Sequence, residues 1–198
     1  SGSRIVYIST GKYLETGDLT TTQKQTQYAI KDSNSSTFVN PRSYNGGLMV
    51  QQTMTVSTGG NSRSSTPAVP APNFNTGRGW FVDFPESGER ANIDSKLVQG
   101  VLLTPTIVPS NTACSPGGHA WFNLFDYKTG SSVPGSIISS RYDEPIVGFN
   151  VFYIDSNGDP TIDIIGAGGK ITTCTTCTFP PKAGNFVGKR TLWRELIQ

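Results

Sequence analysis

Apolar and polar residues alternate with a period of two through most of this chain, and a helical period is hard to find anywhere. RIVYIST, residues 4 to 10, is rich in Ile5, Val6, Tyr7 and Ile8 and reads as a strand closed by Gly11. After a polar segment, TQYAIKD reads as its partner. GLMVQQTMTVS sets Leu48, Val50, Gln52, Met54 and Val56 against Met49, Gln51, Thr53 and Thr55, a long strand with one dominant apolar face. In GWFVDF, Trp80, Val82 and Phe84 share one face while Phe81 and Asp83 share the other. LVQGVLLTPTIVP is a longer β-branched run, and its Gly100 and Pro105 predict a bulged or bent strand. HAWFNLFDYKTG predicts a strand and a turn, and GSIISSRYDEP a strand edge with its loop. VGFNVFYI and TIDIIGAGG predict two strands separated by DSNGDP, and the tail TLWREL a short final strand.

Residues 57 to 79 break this rhythm with Ser, Thr, Gly, Asn and Pro and almost no large side chains. With PAVPAP inside it, the segment is expected to be one long, extended surface loop. The whole pattern predicts a mainly β chain of nine or ten antiparallel strands with long loops and little helix. Its 198 residues are enough for one sizeable core. Charged residues make up only 15%, which suits a turn-rich β protein. A net charge of +2, with scattered basic residues, argues against nucleic acid as a partner. No run of 18 apolar residues predicts a membrane span, and no signal peptide is visible, so a secreted reading requires a processed or excised chain.

Candidate chemistry is concentrated in a few places. In DSNGDPTID, side-chain oxygens at Asp155, Asn157, Asp159 and Asp163 follow the one, three, five, nine spacing of calcium loops, and Thr161 stands where such loops offer a backbone carbonyl. Pro160 replaces the glycine of a helical calcium loop, Gly166 replaces its closing glutamate, and the flanks are strand-like. A calcium-binding β-hairpin loop is therefore expected, against the plainer reading of an Asp/Asn/Gly turn. In PESGER, Glu86, Glu89 and Arg90 are read as ion pairs or a loop cap rather than a glycosidase-like pair. Trp80, Phe81, Phe84, Trp121, Phe122 and Phe125 are read as core rather than as a carbohydrate groove. Asp83 is expected to bond backbone in the adjacent turn. One histidine, His119, and no GxSxG elbow leave no nucleophilic triad, and GAGGK lacks phosphate-loop spacing. Zinc at CTTC would need a second ligand pair that the chain does not hold.

The order GW-x-x-D-x-P-x-x-GER, a β-rich run, P-S-x-x-x-C-x-x-GG and then Trp resembles the C-terminal region of the PilC-like family of type IV pilus tip-associated adhesin and assembly proteins. VYISTGKYLETGD near the start and KRTLWREL at the end agree with it. The resemblance implies a non-enzymatic domain similar to part of a modified β-propeller, either a single domain over residues 1–198 or the C-terminal fragment of a larger propeller. A propeller blade takes four strands, so the chain holds two or three blades' worth. Exposed strand edges would then meet the remaining blades.

It further implies minor pilins and other pilus components, or a host-cell receptor, as partners. The location implied is the surface or pilus tip of a Gram-negative bacterium, reached through the periplasm. Calcium in the family regulates pilus extension and retraction. No Arg-Gly-Asp motif supports integrin-type adhesion. In that oxidising setting a disulfide is expected, with Cys114 to Cys174 or Cys177 first and Cys174–Cys177 second. Two rival readings are a calcium-dependent carbohydrate-binding module and a fragment of a quinoprotein-like propeller enzyme.

Overall fold

A computed structural model describes residues 4–32, 42, 49–68, 71–110, 117–134, 136–153 and 159–180. Its strands are β1 (Arg4–Ser9), β2 (Thr26–Asp32), β3 (Met49–Val56), β4 (Ser62–Thr66), β5 (Gly79–Asp83), β6 (Lys96–Val98), β7 (Val101–Pro109), β8 (Gly118–Asp126), β9 (Ser139–Tyr142), β10 (Ile146–Tyr153), β11 (Pro160–Gly166) and β12 (Ile171–Thr173). A single 3-10 turn, Thr16–Thr20, is the only helical element among the described residues. No helix there is long and apolar enough to cross a membrane. The chain is mainly β, as the alternating pattern predicts.

Nine strands form one strongly curled half-barrel sheet in the order β1-β2-β5-β3-β4-β9-β8-β7-β6, and β10-β11-β12 form a separate sheet. All pairs are antiparallel except one. Met49 to Gln52 of β3 run parallel to β5, and Thr53 to Val56 then pair antiparallel with β4. This change of partner explains why β3 lacks the single apolar face its sequence predicts: Met49 is buried at one end, Gln52 and Met54 in the middle, and Val56 is exposed.

Three further expectations are corrected. Residues 57 to 79 are not one loop, because Ser62–Thr66 form β4, an interior strand between β3 and β9. β9 is not an edge, since β4 and β8 flank it. LVQGVLLTPTIVP is a hairpin rather than one bent strand: Gln99 (φ 46°) and Gly100 (φ 81°) are both left-handed, which closes a tight two-residue turn between β6 and β7. Pro105 lies within β7 without a bulge, opposite Phe122. Ile107, two residues on, sends its N–H to Arg90 on the side away from β8. Pro105 shares that orientation, so the donor it lacks is not one that β8 needs.

The core has two layers. One lies between the half-barrel and the three-stranded sheet, where Leu103, Ile107, Ala120, Phe122 and Leu124 meet Ile146, Phe149, Ile162 and Ile164. Phe122 and Phe149 meet edge to face at 5.2 Å. The other fills the inside of the curl, where Trp80, Val82 and Phe84 of the GWFVDF run meet Ala29, Met54, Leu102 and Phe125. Trp80 and Tyr7 both donate to the carbonyl of Tyr127, at 3.1 and 3.0 Å. Burial, with the nearby Tyr127 and Asp126, pushes the Tyr7 hydroxyl up to about 12. Gly130 lets the turn after β8 pass over the Trp80 ring: its φ is +72°, and a Cβ there would sit 2.4 Å from the indole.

Candidate functional site

The polar heart of the molecule is built where PESGER, leaving β5, folds back against β4, β7 and β8. Gly88 supplies the left-handed turn (φ +74°) that brings Glu86 and Glu89 to the same side. Both carboxylates converge on Arg63, which reaches in from β4 and is fully buried. Glu89 holds it with two parallel bonds of 2.7 Å, and Glu86 adds a third at 3.0 Å. The planar guanidinium matches two carboxylate oxygens at once, and its face stacks 3.7 Å over the Trp121 ring. Trp121 also donates its indole N–H to Glu86 at 2.7 Å. Thr106 donates to Glu89 at 2.6 Å, and Asn123 in turn donates to Thr106 at 3.2 Å.

His119 closes the outer end of this cluster, 2.7 Å from the second oxygen of Glu86. Burial pushes the Glu86 carboxyl up. The His119 ring, by charge and hydrogen bond, together with the Arg63 charge and the Trp121 N–H, outweighs it and holds the group below the usual carboxylate range. Every carboxylate oxygen here already accepts a bond from the protein. The arrangement is a tether for buried charge, as the ion-pair reading of PESGER expects.

Arg90 does separate work. Its guanidinium donates to four backbone carbonyls, of Gly88 (2.9 Å), Lys12 (2.9 Å), Asp18 (2.6 Å) and Thr21 (2.9 Å). Its backbone exchanges both hydrogen bonds with Ile107. One residue, by side chain and backbone together, thereby fastens the segment after β1 to β7. Asp18 within that segment accepts the Leu14 N–H at 2.8 Å and the Glu15 N–H at 3.1 Å. The Leu14 bond leads in holding the Asp18 carboxyl low, burial opposes it, and the Glu15 N–H, Lys12 and Arg90 add to the lowering.

Asp83 bonds side chains rather than the backbone of its turn. It accepts from Thr26 at 2.6 Å and Gln51 at 3.2 Å and pairs with Arg42, which stacks 5.0 Å from the Phe81 ring. All six aromatics weighed as a groove are buried.

The calcium expectation falls partly on described residues. Asp155 and Asn157 lie outside them. Asp159 is exposed at the end of the β10–β11 hairpin. Thr161 and Asp163 stand on the outward side of β11, opposite Phe152 and Asn150, while Ile162 and Ile164 face the core. From Pro160 to Asp163 the chain is extended, a span of about 10 Å between these two residues. Asp163 accepts the Thr173 hydroxyl at 2.7 Å. The extended run from Pro160 sets Asp163 apart from Asp159. Among the described residues no three His, Cys, Asp or Glu side chains gather into a metal-binding group.

Cys174 and Cys177 are bonded to each other, S–S 2.06 Å. This corrects the first choice of Cys114 with either of them, and Cys114 itself lies outside the described residues. The bond closes the turn after β12, where Cys174 packs into the apolar layer.

Sequence reasoning missed Arg63, Thr106 and Asn123. The available signal was a lone arginine in a Ser/Thr run, since a charge inside a strand calls for a partner. Comparison of the chain with protein-family models, with curated proteins and with solved structures finds no match.

Proposed function

We propose that this chain is a non-enzymatic extracellular module of a type IV pilus biogenesis and adhesion protein, similar to part of a modified β-propeller, with a calcium-binding hairpin. One observation carries the reading. Trp80, Asp83, Glu89, Arg90 and Trp121 of the pilus-like motif all take part in contacts that hold the fold together. A resemblance carried by fold-forming residues is a resemblance of architecture. The Cys174–Cys177 bond suits the oxidising route to the cell surface. β1 and β6 end the curled sheet, and Val6, Ile8 and Leu97 on them are exposed apolar side chains of the kind that remaining blades, minor pilins or a host receptor would cover.

In this reading Asp155, Asn157, Asp159 and Asp163 supply the calcium oxygens, with Thr161 adding its carbonyl. Without a closing glutamate, affinity is expected on the order of 10⁻⁶ to 10⁻³ M. Calcium bound to the folded state alone raises the melting temperature. Calorimetry and thermal melts of wild type and Asp159→Ala, in calcium and in chelator, test this. A calcium heat and a melting shift in wild type, both lost in the variant, are expected; neither in wild type reduces the loop to a turn.

A second reading, the calcium-dependent carbohydrate module, is favoured by Phe152 and Tyr153, exposed beside the same hairpin at 41% and 62%. Glycan screening with and without chelator separates the two. No observation favours the quinoprotein-like enzyme.

A further inference from the structure

We propose that one water molecule is built into the inside of the half-barrel, held jointly by Arg63, Ser139 and Asn123. Ser139 on β9 stands directly opposite Arg63 on β4 and directly opposite Asn123 on β8. Opposed residues share a face with Cβ atoms about 4.5–5.5 Å apart. The three side chains therefore form one row with the smallest in the middle. All three are fully buried. Each keeps one polar atom without a hydrogen-bond partner in the protein: Arg63 Nε, Asn123 Oδ1 and Ser139 Oγ.

Their orientations converge. The Asn123 amide nitrogen donates to the Thr104 carbonyl at 2.9 Å and to the Thr106 hydroxyl at 3.2 Å, both on β7. Its oxygen therefore points the opposite way, toward β9 and Ser139. Arg63 spends its two terminal nitrogens on Glu89 and Glu86. Nε, the guanidinium nitrogen nearest the backbone, is left on the strand side of the ion pair. The set is one N–H donor, one carbonyl acceptor and one hydroxyl that serves as either. A single water complements it: its oxygen accepts from Nε, one hydrogen goes to Oδ1, and the third bond is shared with Oγ. Buried waters typically make about three such bonds. An ion suits the place less well, because Arg63 repels a cation and the two glutamates repel an anion. The bound water joins β4, β9 and β8 and extends the ion cluster toward Thr104.

A high-resolution crystal structure of the full chain, with water relaxation dispersion in solution, tests this. The expected result is an oxygen peak within hydrogen-bond distance of all three atoms and a long-lived internal water. Ser139→Val, which fills the space with methyl groups, should lose both the peak and one water's share of the dispersion amplitude. The proposal is overturned by a wild-type map in which the three atoms have no such peak, or by equal dispersion in wild type and variant. If Ser139→Val does not fold, the wild-type map alone decides.

Discussion

Strands β7 and β8 are covered on both sides, and the two covers differ: the outer one is apolar, while the inner one is apolar where Leu102 and Phe125 meet Trp80 and polar along the rest. Toward β10–β12, Leu103, Ile107, Ala120, Phe122 and Leu124 enter a layer made of apolar side chains. Toward the inside of the curl, Thr104, Thr106, Trp121 and Asn123 enter a layer that holds Arg63 and Glu89. The apolar layer is held by burial, which is non-directional and proportional to area. The polar layer is held by bonds that exist in one geometry only. A one-residue slip of β8 would exchange the two faces. Phe122 and Leu124 would then meet Arg63 and Glu89, while Asn123 and Trp121 would enter the apolar layer. The buried polar contacts are thus the ones least tolerant of a register slip, while apolar burial on both sides stabilises the strands without fixing one geometry.

The sharpest way to break this contrast is to remove one side chain from each kind of contact. Glu89→Leu leaves a fully buried Arg63 with only Glu86, and a loss of about 3–5 kcal/mol is expected by urea unfolding. Leu103→Ala on the other side leaves a cavity, at a cost of about 2–5 kcal/mol. The two differ in the ladder as well as in size. Hydrogen exchange should show protection lost across β4, β9 and β8 in Glu89→Leu, and only a uniform drop in Leu103→Ala. Equal, uniform patterns would remove the distinction.

The smallest expected effect is one of pH. Glu86 has its folded-state pKa below its unfolded value, so its contribution is present above the ordinary carboxylate range, about 4.3. That contribution is lost as pH falls through the lower folded value. In Glu86→Gln, stability should therefore fall less steeply below about pH 4.3 than in wild type. Parallel pH profiles would show that the carboxylate is not held low.

Apolar and β-branched content made most core strands legible: β1, β2, β5, β8, β10 and β11 all lie where the sequence predicts strands. β4 was not legible, because SRSST has no apolar alternation. Its reason to be a strand is one arginine whose partners stand 23 and 26 residues further on. The β6–β7 turn was hidden for a different reason. Gln99 takes a left-handed φ that its side chain does not advertise, so only Gly100 was visible, and a lone glycine in a strand reads as a bulge. The ion-paired role of PESGER was readable from charge and turn residues. The cysteine pairing was not, since three cysteines and their spacing leave connectivity open.

The central claim is that the Arg63–Glu89 pair specifies which strands meet more than it stabilises their meeting. A double-mutant cycle on Arg63→Met and Glu89→Leu tests it most directly, read by urea unfolding with the β4–β9 register checked by NMR. Replacing both partners removes the buried charge along with its mate, so the double variant is expected to be less destabilised than Glu89→Leu alone, while exchange between registers becomes detectable. Additive losses with the native register unchanged would contradict the account.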